Sequence, residues 1–163
     1  MNPETKKMLI KILNGRHFNK CVDLGCGEGY YGDVLKAHCD YLIGVDHNLP
    51  RLSVAKKYSG YNEVHFCDVR DYEIPADTDA VFMLDLIEHL PKKDGFDLLL
   101  KVRNVPFVLI TTPTFFHTFT MFRNGHVSLW TEKELQENGF KTMIYNKGLA
   151  GLFVDGTIAW REI

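Results

Sequence analysis

The sequence predicts an α/β fold, in which a doubly wound, mostly parallel sheet of seven strands carries helices on both faces and ends in a C-terminal antiparallel hairpin. Two observations predict this fold. Short, continuous apolar runs alternate with segments of helical periodicity, which is the pattern of a parallel sheet covered on both faces. The last two strand-like segments have no helix between them, which predicts a hairpin at the sheet edge. Because no repeat or Pro/Gly/Ser-rich linker interrupts the pattern, we expect residues 1–163 to form a single domain.

The first half of the chain predicts helices and strands in alternation. Met8 and Ile12 lie at helical spacing, and Asn14-Gly15 ends that helix, since glycine is favoured just after a helix C-terminus. Pro50 fits the first turn of the third helix, where the backbone N–H groups have no partner within the helix. In order, the predicted elements are helix 3–14, strand 21–24, helix 30–38, strand 41–46, helix 49–58 and strand 63–67.

The second half continues the alternation and then changes. An apolar strand that is followed by an acidic residue precedes a helix and another buried strand. Thr131 is a favoured N-cap for the last helix, because its side chain can accept a hydrogen bond from the first turn. In order, the predicted elements are strand 79–84, helix 92–101, strand 107–110, helix 132–137, and strands 140–146 and 157–162.

Composition restricts the class of protein. The 19 basic and 21 acidic residues give a formal net charge of −2, and no long run of one sign indicates a nucleic-acid or membrane partner. A local basic patch, and hence a nucleic-acid partner, stays open. The four cysteines lie near apolar runs without Cys-x-x-Cys spacing, which is typical of buried free thiols in a reducing compartment. Without a signal-peptide pattern or an apolar run of about 20 residues, we expect a cytoplasmic protein.

A glycine-rich segment follows the first predicted strand. Gly25, Gly27 and Gly29 stand between that strand and the next helix, where they allow a tight turn and a close approach of backbone to a ligand. Residues 27–32 also match the glycine spacing of the dinucleotide fingerprint. The segment therefore predicts a cofactor loop, and the spacing alone leaves a dinucleotide-dependent oxidoreductase open.

The charge of this loop favours a different cofactor. Asp23 precedes the turn and Glu28 lies inside it, so a pyrophosphate would meet two carboxylates and be repelled. S-adenosylmethionine carries an ammonium and a sulfonium and no phosphate. The acidic loop therefore indicates the methyl donor.

Acidic residues also follow the next two strands. Asp46 ends the second strand, where a carboxylate can accept hydrogen bonds from both ribose hydroxyls, and Asp68 follows the third strand, at the level of an adenine amino group. Ligands in open α/β sheets bind outside the carboxyl ends of the strands. Together with Asp23, these residues predict an adenosine-binding edge of the sheet.

Four segments of the chain resemble the ordered motifs of class I S-adenosylmethionine-dependent methyltransferases, in their small-molecule branch. These segments are Val22–Gly29, Gly44–Asp46, Cys67–Val69 and Asp79–Leu90. The resemblance implies a seven-stranded sheet with a reversed seventh strand, ribose recognition by Asp46 and adenine recognition by Asp68. The full expected cofactor-binding set is Asp23, Gly25, Gly27, Gly29, Asp46, Asp68 and Asp85.

The acceptor side is expected after the fourth strand. If residues 85–90 turn helically, Asp85, Glu88 and His89 share one face and can ligate a divalent cation, with His126 as a fourth ligand. This pattern resembles ubiquinone-pathway O-methyltransferases and small-RNA 3′-terminal ribose methyltransferases, which hold Mg²⁺ or a similar ion there. The chain departs from them at Asp85, where a Glu is expected. Alternatively, His89 or His126 is a general base, or both histidines are structural.

A phenylalanine-rich segment, Phe115–Phe122, follows the fifth strand and ends beside Arg123. Its apolarity predicts either a lid over the acceptor or a packing or oligomer contact. We expect methyl transfer from S-adenosylmethionine to an O or N nucleophile of a small-molecule acceptor. The alternatives are a metal-dependent 2′-O-methyltransferase that acts on RNA ends and a non-catalytic cofactor-binding module.

Overall fold

The computed structural model describes residues 3–58, 60–113, 125–146 and 155–163. Its helices are α1 (Pro3–Leu13), α2 (Gly32–Lys36), α3 (Leu49–Tyr58), α4 (Lys92–Lys101) and α5 (Glu132–Glu137), with a 3₁₀ turn at Ile87–His89. Its strands are β1 (Phe18–Leu24), β2 (Cys39–Asp46), β3 (Glu63–Phe66), β4 (Ala80–Leu84), β5 (Phe107–Pro113), β6 (Lys141–Asn146) and β7 (Asp155–Glu162). None of the helices within the described ranges is long and apolar enough to cross a bilayer.

All these strands form one seven-stranded sheet, in the order β3-β2-β1-β4-β5-β7-β6. The pairs among β1 to β5 are parallel, whereas β7 runs antiparallel to both β5 and β6. The predicted doubly wound sheet and its C-terminal antiparallel pair are therefore confirmed. Because β7 lies between β5 and β6, β6 forms this edge of the sheet.

The sheet buries both of its faces. Along β4, Val81 and Met83 pack into one apolar cluster, and Ala80, Phe82 and Leu84 pack into the other. All five side chains are buried, which explains why the strand reads as a continuous apolar run rather than as an alternating one. Because β1 to β5 run parallel, their carboxyl ends lie at one edge of this buried sheet.

Some boundaries differ from the prediction for local reasons. The helix predicted over 30–38 is shortened to α2, because the chain first turns through hydrogen bonds from Gly29 N to Cys26 O and from Gly32 N to Gly29 O. Strand β5 extends past Ile110, since its last residues pair with β7. The predicted absence of a helix between the last two strands falls on residues 147–154, outside the described residues.

Candidate functional site

The glycine loop between β1 and α2 is fixed by backbone geometry. Gly25, Gly27 and Gly29 all have positive φ, at +73°, +54° and +79°. A Cβ on Gly25 would lie 2.6 Å from Leu86 Cδ1, so this position also needs glycine for space. Gly25 N and Cys26 N both donate to Val45 O, at 2.8 and 3.0 Å, which ties the loop to the end of β2.

Asp23 lies beneath the loop rather than on its surface. Its carboxyl group is buried and accepts a hydrogen bond of 2.5 Å from the Tyr61 hydroxyl. Burial raises the pKa of Asp23 to about 7, although the hydrogen bond from Tyr61 opposes this shift. Asp23 therefore fixes the loop from below and adds a titratable group to the site.

Asp46 joins the end of β2 to the loop. Its Oδ2 accepts from Gly27 N and its Oδ1 accepts from Asn48 N, each at 2.8 Å. These two bonds orient the carboxylate at the wall of a cavity of about 530 Å³. A carboxylate has about four acceptor positions, so Asp46 can accept further hydrogen bonds from a ligand.

Asp68 lines the same cavity and is held by Arg70. Oδ1 accepts from Arg70 Nε at 2.9 Å, and Oδ2 accepts from Arg70 Nη2 at 2.6 Å. Hydrogen bonding to the Arg70 guanidinium lowers the pKa of Asp68 to about 2. Asp68 is therefore ionised at neutral pH and can only accept hydrogen bonds.

Asp85 follows β4 with a φ of +52°, a left-handed conformation that is uncommon for a residue other than glycine. Its carboxylate accepts from the Tyr31 hydroxyl at 2.9 Å and from Thr111 Oγ1 at 3.1 Å. The prediction that Asp85 shares one helical face with Glu88 and His89 is wrong, because the 3₁₀ turn begins only at Ile87. Asp85 instead lines the large cavity and an adjoining cavity of about 410 Å³.

Three of the four predicted metal ligands do come together. One ligand atom from each of Glu88, His89 and His126 lies within 4.8 Å of the others, and no second such group occurs in the described part of the chain. Glu88 is 1% exposed. The two imidazoles meet edge to face, with centroids 4.8 Å apart. His89 Nδ1 lies 3.1 Å from Gly125 O and must donate to it, since a carbonyl oxygen only accepts.

Backbone contacts bring His126 to this position. Val127 N and Ser128 N donate to Glu88 O, at 2.8 and 3.1 Å. The buried Trp130 donates from Nε1 to Ile87 O at 3.1 Å. The stretch before α5 is thereby bonded to the 3₁₀ turn, and His89 reaches the large cavity beside Asp46 and Asp68.

Comparison with known proteins assigns this arrangement to a family. A family model described as a methyltransferase domain matches residues 21–105, which include the glycine loop, both strand-end acids and the 3₁₀ turn. The chain belongs to the class I S-adenosylmethionine-dependent methyltransferase family. The match confirms the predicted family and its cofactor, S-adenosylmethionine.

The curated relatives compared with this chain are distant. A probable S-adenosylmethionine-dependent methyltransferase of Mycobacterium tuberculosis strain H37Rv is 25% identical over 140 residues, covering 83% of this chain and 50% of the relative. The chain thus spans about half the length of the curated relatives that it matches.

Two solved structures illustrate the shared fold. The N-methyltransferase NodS of Bradyrhizobium japonicum, in complex with S-adenosylhomocysteine, has a TM-score of 0.76 at 16% identity. The superposition covers 99% of this chain and 88% of the NodS chain. The small RNA methyltransferase HEN1 has a TM-score of 0.71 at 18% identity, covering 98% of this chain and 25% of its own.

Sequence reasoning missed several residues of the methyltransferase site. Tyr31, Tyr61 and Thr111 position the acids but come from distant parts of the chain, so spacing carries no signal for them. Arg70 lies two residues after Asp68 and offered the one local signal. The phenylalanine-rich segment Phe115–Phe122 and Arg123 lie outside the described residues, so the predicted lid stays a prediction.

Proposed function

We propose that this chain transfers a methyl group from S-adenosylmethionine to an oxygen or nitrogen nucleophile of a small-molecule acceptor, with His89 as the general base. One observation carries the proposal. His89 lines the same cavity as the strand-end acids Asp46 and Asp68, so a titratable imidazole lies at the cofactor groove.

The cofactor fits the groove by charge and hydrogen bonding. The two cavities share Gly25, Gly27, Arg51 and Asp85, and form one groove across the glycine loop. In the proposed placement, Asp46 accepts from the ribose hydroxyls at the larger cavity. The sulfonium then lies where the two cavities meet, at Asp85, beside the cavity that His89 lines, and the acids at the smaller cavity stabilise the positive charge of the ammonium.

Asp68 receives the adenine in this placement. Its carboxylate is ionised and lines the larger cavity, where it can accept a hydrogen bond from the 6-amino group. A phosphate-bearing dinucleotide would instead meet Asp46 and Asp85 along the groove. Arg51 and Arg70 also line the groove, but Arg70 is paired with Asp68 and Asp94, so the acidic side chains prevail and support the methyl donor over a dinucleotide.

His89 has the tautomer that a base requires. Because Nδ1 donates to Gly125 O, the neutral ring carries its proton on Nδ1 and leaves Nε2 as an acceptor. In the reaction, the acceptor nucleophile forms a bond to the methyl carbon while the carbon–sulfur bond breaks. The sulfonium becomes the thioether of S-adenosylhomocysteine, and the proton of the nucleophile passes to His89 Nε2.

A second candidate is metal-assisted methylation of a hydroxyl group, as on the ribose of an RNA end. The grouping of Glu88, His89 and His126 favours it. Two imidazoles and one carboxylate suit a transition ion such as Mn²⁺ or Fe²⁺ better than Mg²⁺, which prefers oxygen ligands. When bound, such an ion would act as a Lewis acid and lower the pKa of the hydroxyl.

A chelator assay separates the two candidates. Small-molecule acceptors with hydroxyl or amine groups, and an RNA with a free 2′,3′-diol, are incubated with donor in the presence of EDTA or of added Mn²⁺ or Mg²⁺. We expect S-adenosylhomocysteine to form with a small-molecule acceptor regardless of EDTA. Turnover of RNA alone that is lost with EDTA and restored by Mn²⁺ would replace the first proposal by the second. Donor binding without turnover of any acceptor would favour a non-catalytic module.

We also propose a cytoplasmic location. All four cysteines are free, and three of them are buried, which suits a reducing compartment.

A further inference from the structure

The loop after β3 contains a hydrogen-bonded chain of charged residues that methyl transfer does not require. Arg70 donates to Asp68 through its side chain, and Arg70 Nη1 donates to Asp94 Oδ2 at 2.9 Å. Asp94 lies in the first turn of α4. The loop is thus connected to α4 beside the larger cavity, which both Asp68 and Arg70 line.

We propose that Arg70 is a positioning residue for cofactor specificity, which leaves the Asp68 carboxylate a single open acceptor position and so selects a 6-aminopurine over a 6-oxopurine. This inference rests on the proposed contact between Asp68 and adenine.

The Asp68 carboxylate already accepts three hydrogen bonds from Arg70. Oδ1 accepts from Arg70 Nε and from Arg70 N, both at 2.9 Å, and Oδ2 accepts from Arg70 Nη2 at 2.6 Å. A carboxylate has about four acceptor positions, so these bonds leave one, on Oδ2. One open position matches one N–H of the adenine 6-amino group. A 6-oxo group would place its oxygen against an anion, and the N1–H donor of a 6-oxopurine lies beside that oxygen rather than at the position of the 6-amino group.

The rest of the chain of contacts holds Arg70 in place. Asp94 accepts from Nη1, which draws that donor away from Asp68. At the other end of α4, Lys101 Nζ donates to Arg70 O and to Tyr72 O. The backbone of Arg70 and the side chain of Arg70 are therefore both bonded to one helix, which fixes the direction of the guanidinium.

An ordinary surface ion pair would not hold the Asp68 carboxylate in one orientation. Exposed ion pairs are usually weak because each side chain is free to move, and the Arg70 side chain is 50% exposed. The pair with Asp68 differs, because two parallel N–H groups and the Arg70 backbone N–H act on one carboxylate. Lysine has the charge of arginine without the planar pair of donors, so the Arg70→Lys variant separates charge from geometry.

The test measures affinities by isothermal titration for S-adenosylhomocysteine and for S-inosylhomocysteine, which carries a 6-oxopurine. We expect the wild-type protein to prefer the adenosyl compound by about tenfold or more. In Arg70→Ala and Arg70→Lys, that preference should fall by about fivefold, mainly through weaker binding of the adenosyl compound. Asp94→Asn should reduce the preference by about two- to threefold, because Arg70 loses one charged partner.

Glu137→Gln is the matched control. Glu137 lies on α5, pairs with Lys133 at 3.8 Å, and lines neither cavity of the groove. Its preference ratio should match that of the wild-type protein, and thermal melts verify that each variant is folded.

The outcomes separate the inference from the function on which it rests. If the wild-type protein prefers the adenosyl compound and the Arg70 and Asp94 variants keep that preference, or lose both affinities equally, Arg70 is merely structural and the inference is overturned. A wild-type protein that binds both compounds alike would overturn the adenine contact and this inference with it. Failure to bind S-adenosylhomocysteine at all would overturn the proposed function itself.

Discussion

The two halves of the site are built in different ways. On the cofactor side, glycines in left-handed conformation and backbone donors from the loop form a frame around Asp46. On the acceptor side, His89 and His126 meet only because the stretch before α5 bonds back to the 3₁₀ turn. The cofactor side therefore depends on local backbone conformation, whereas the acceptor side depends on contacts between distant segments.

This difference matches the chemistry of each side. The cofactor side serves one ligand, the methyl donor, so a frame held on strand ends suits it. Methyl transfer itself needs alignment, exclusion of water and a route for one proton, which long-range contacts can supply in many forms. Substitutions on one side of the site should therefore leave the other side intact.

The largest expected effect is on catalysis at the acceptor side. In His89→Gln, the proposed base is lost, and kcat should fall by about 10²–10⁴-fold. Affinity for S-adenosylhomocysteine should stay within about threefold of the wild-type value, since His89 is not among the proposed contacts with the donor. Steady-state kinetics and titration of the same protein sample check both parts. An equal loss of donor affinity would show that the two sides are not separable.

The glycine frame is tested by Gly25→Ala. The new Cβ would meet Leu86 Cδ1 at 2.6 Å in a backbone of positive φ, so donor affinity should fall by about 100-fold or more. Gly15→Ala is the matched control, because Gly15 has a φ of +76° with open space around its Cβ. That control should lose roughly 1 kcal/mol of stability without a change in donor affinity. Comparable losses of affinity in both variants would contradict the account of the loop.

The ribose contact is tested by Asp46→Ala. Removing the carboxylate takes away the acceptor for the ribose hydroxyls and the bond from Gly27 N, and donor affinity should fall at least tenfold. Asp40→Ala removes an exposed acid from the other end of β2, away from the groove, and should leave the affinity within about twofold. An unchanged affinity in Asp46→Ala would remove the ribose assignment.

The last prediction concerns stability rather than binding, through pH and the buried Asp23. Its pKa is about 7 in the folded chain and about 3.8 as an ordinary carboxyl group, so the folded state binds more protons between these values. Stability should therefore decline as pH rises from about 4 to about 7 and level off above it. Asn resembles the protonated acid and can still accept from Tyr61, so Asp23→Asn should lose this slope. Urea unfolding across that pH range measures the slope, and an identical slope in the variant would refute the assignment.

The sequence predicted the fold better than the site, for physical reasons. Continuous apolar runs marked the buried strands, as at Ala80–Leu84, because each such residue faces one of two cores. Strand ends then placed Asp46 and Asp68 at one edge without any knowledge of tertiary contacts. Asp85 was assigned to a helical face because sequence periodicity cannot show that its φ is positive.

Long-range partners carried no sequence signal at all. Tyr61 bonds to Asp23 across 38 residues, and Trp130 bonds to Ile87 across 43 residues. Such contacts follow from the closed fold, and a tyrosine or tryptophan in an apolar context is equally consistent with plain core packing. Arg70 is the exception, because it lies two residues after Asp68 and such a local spacing can indicate an ion pair.

The proposed function requires that the groove over the glycine loop bind the methyl donor. Titration of the wild-type protein with S-adenosylhomocysteine, with NAD as the comparison ligand, tests it most directly. The account predicts saturable binding of S-adenosylhomocysteine at one site and no heat of binding with NAD. Binding of NAD without binding of S-adenosylhomocysteine would contradict it.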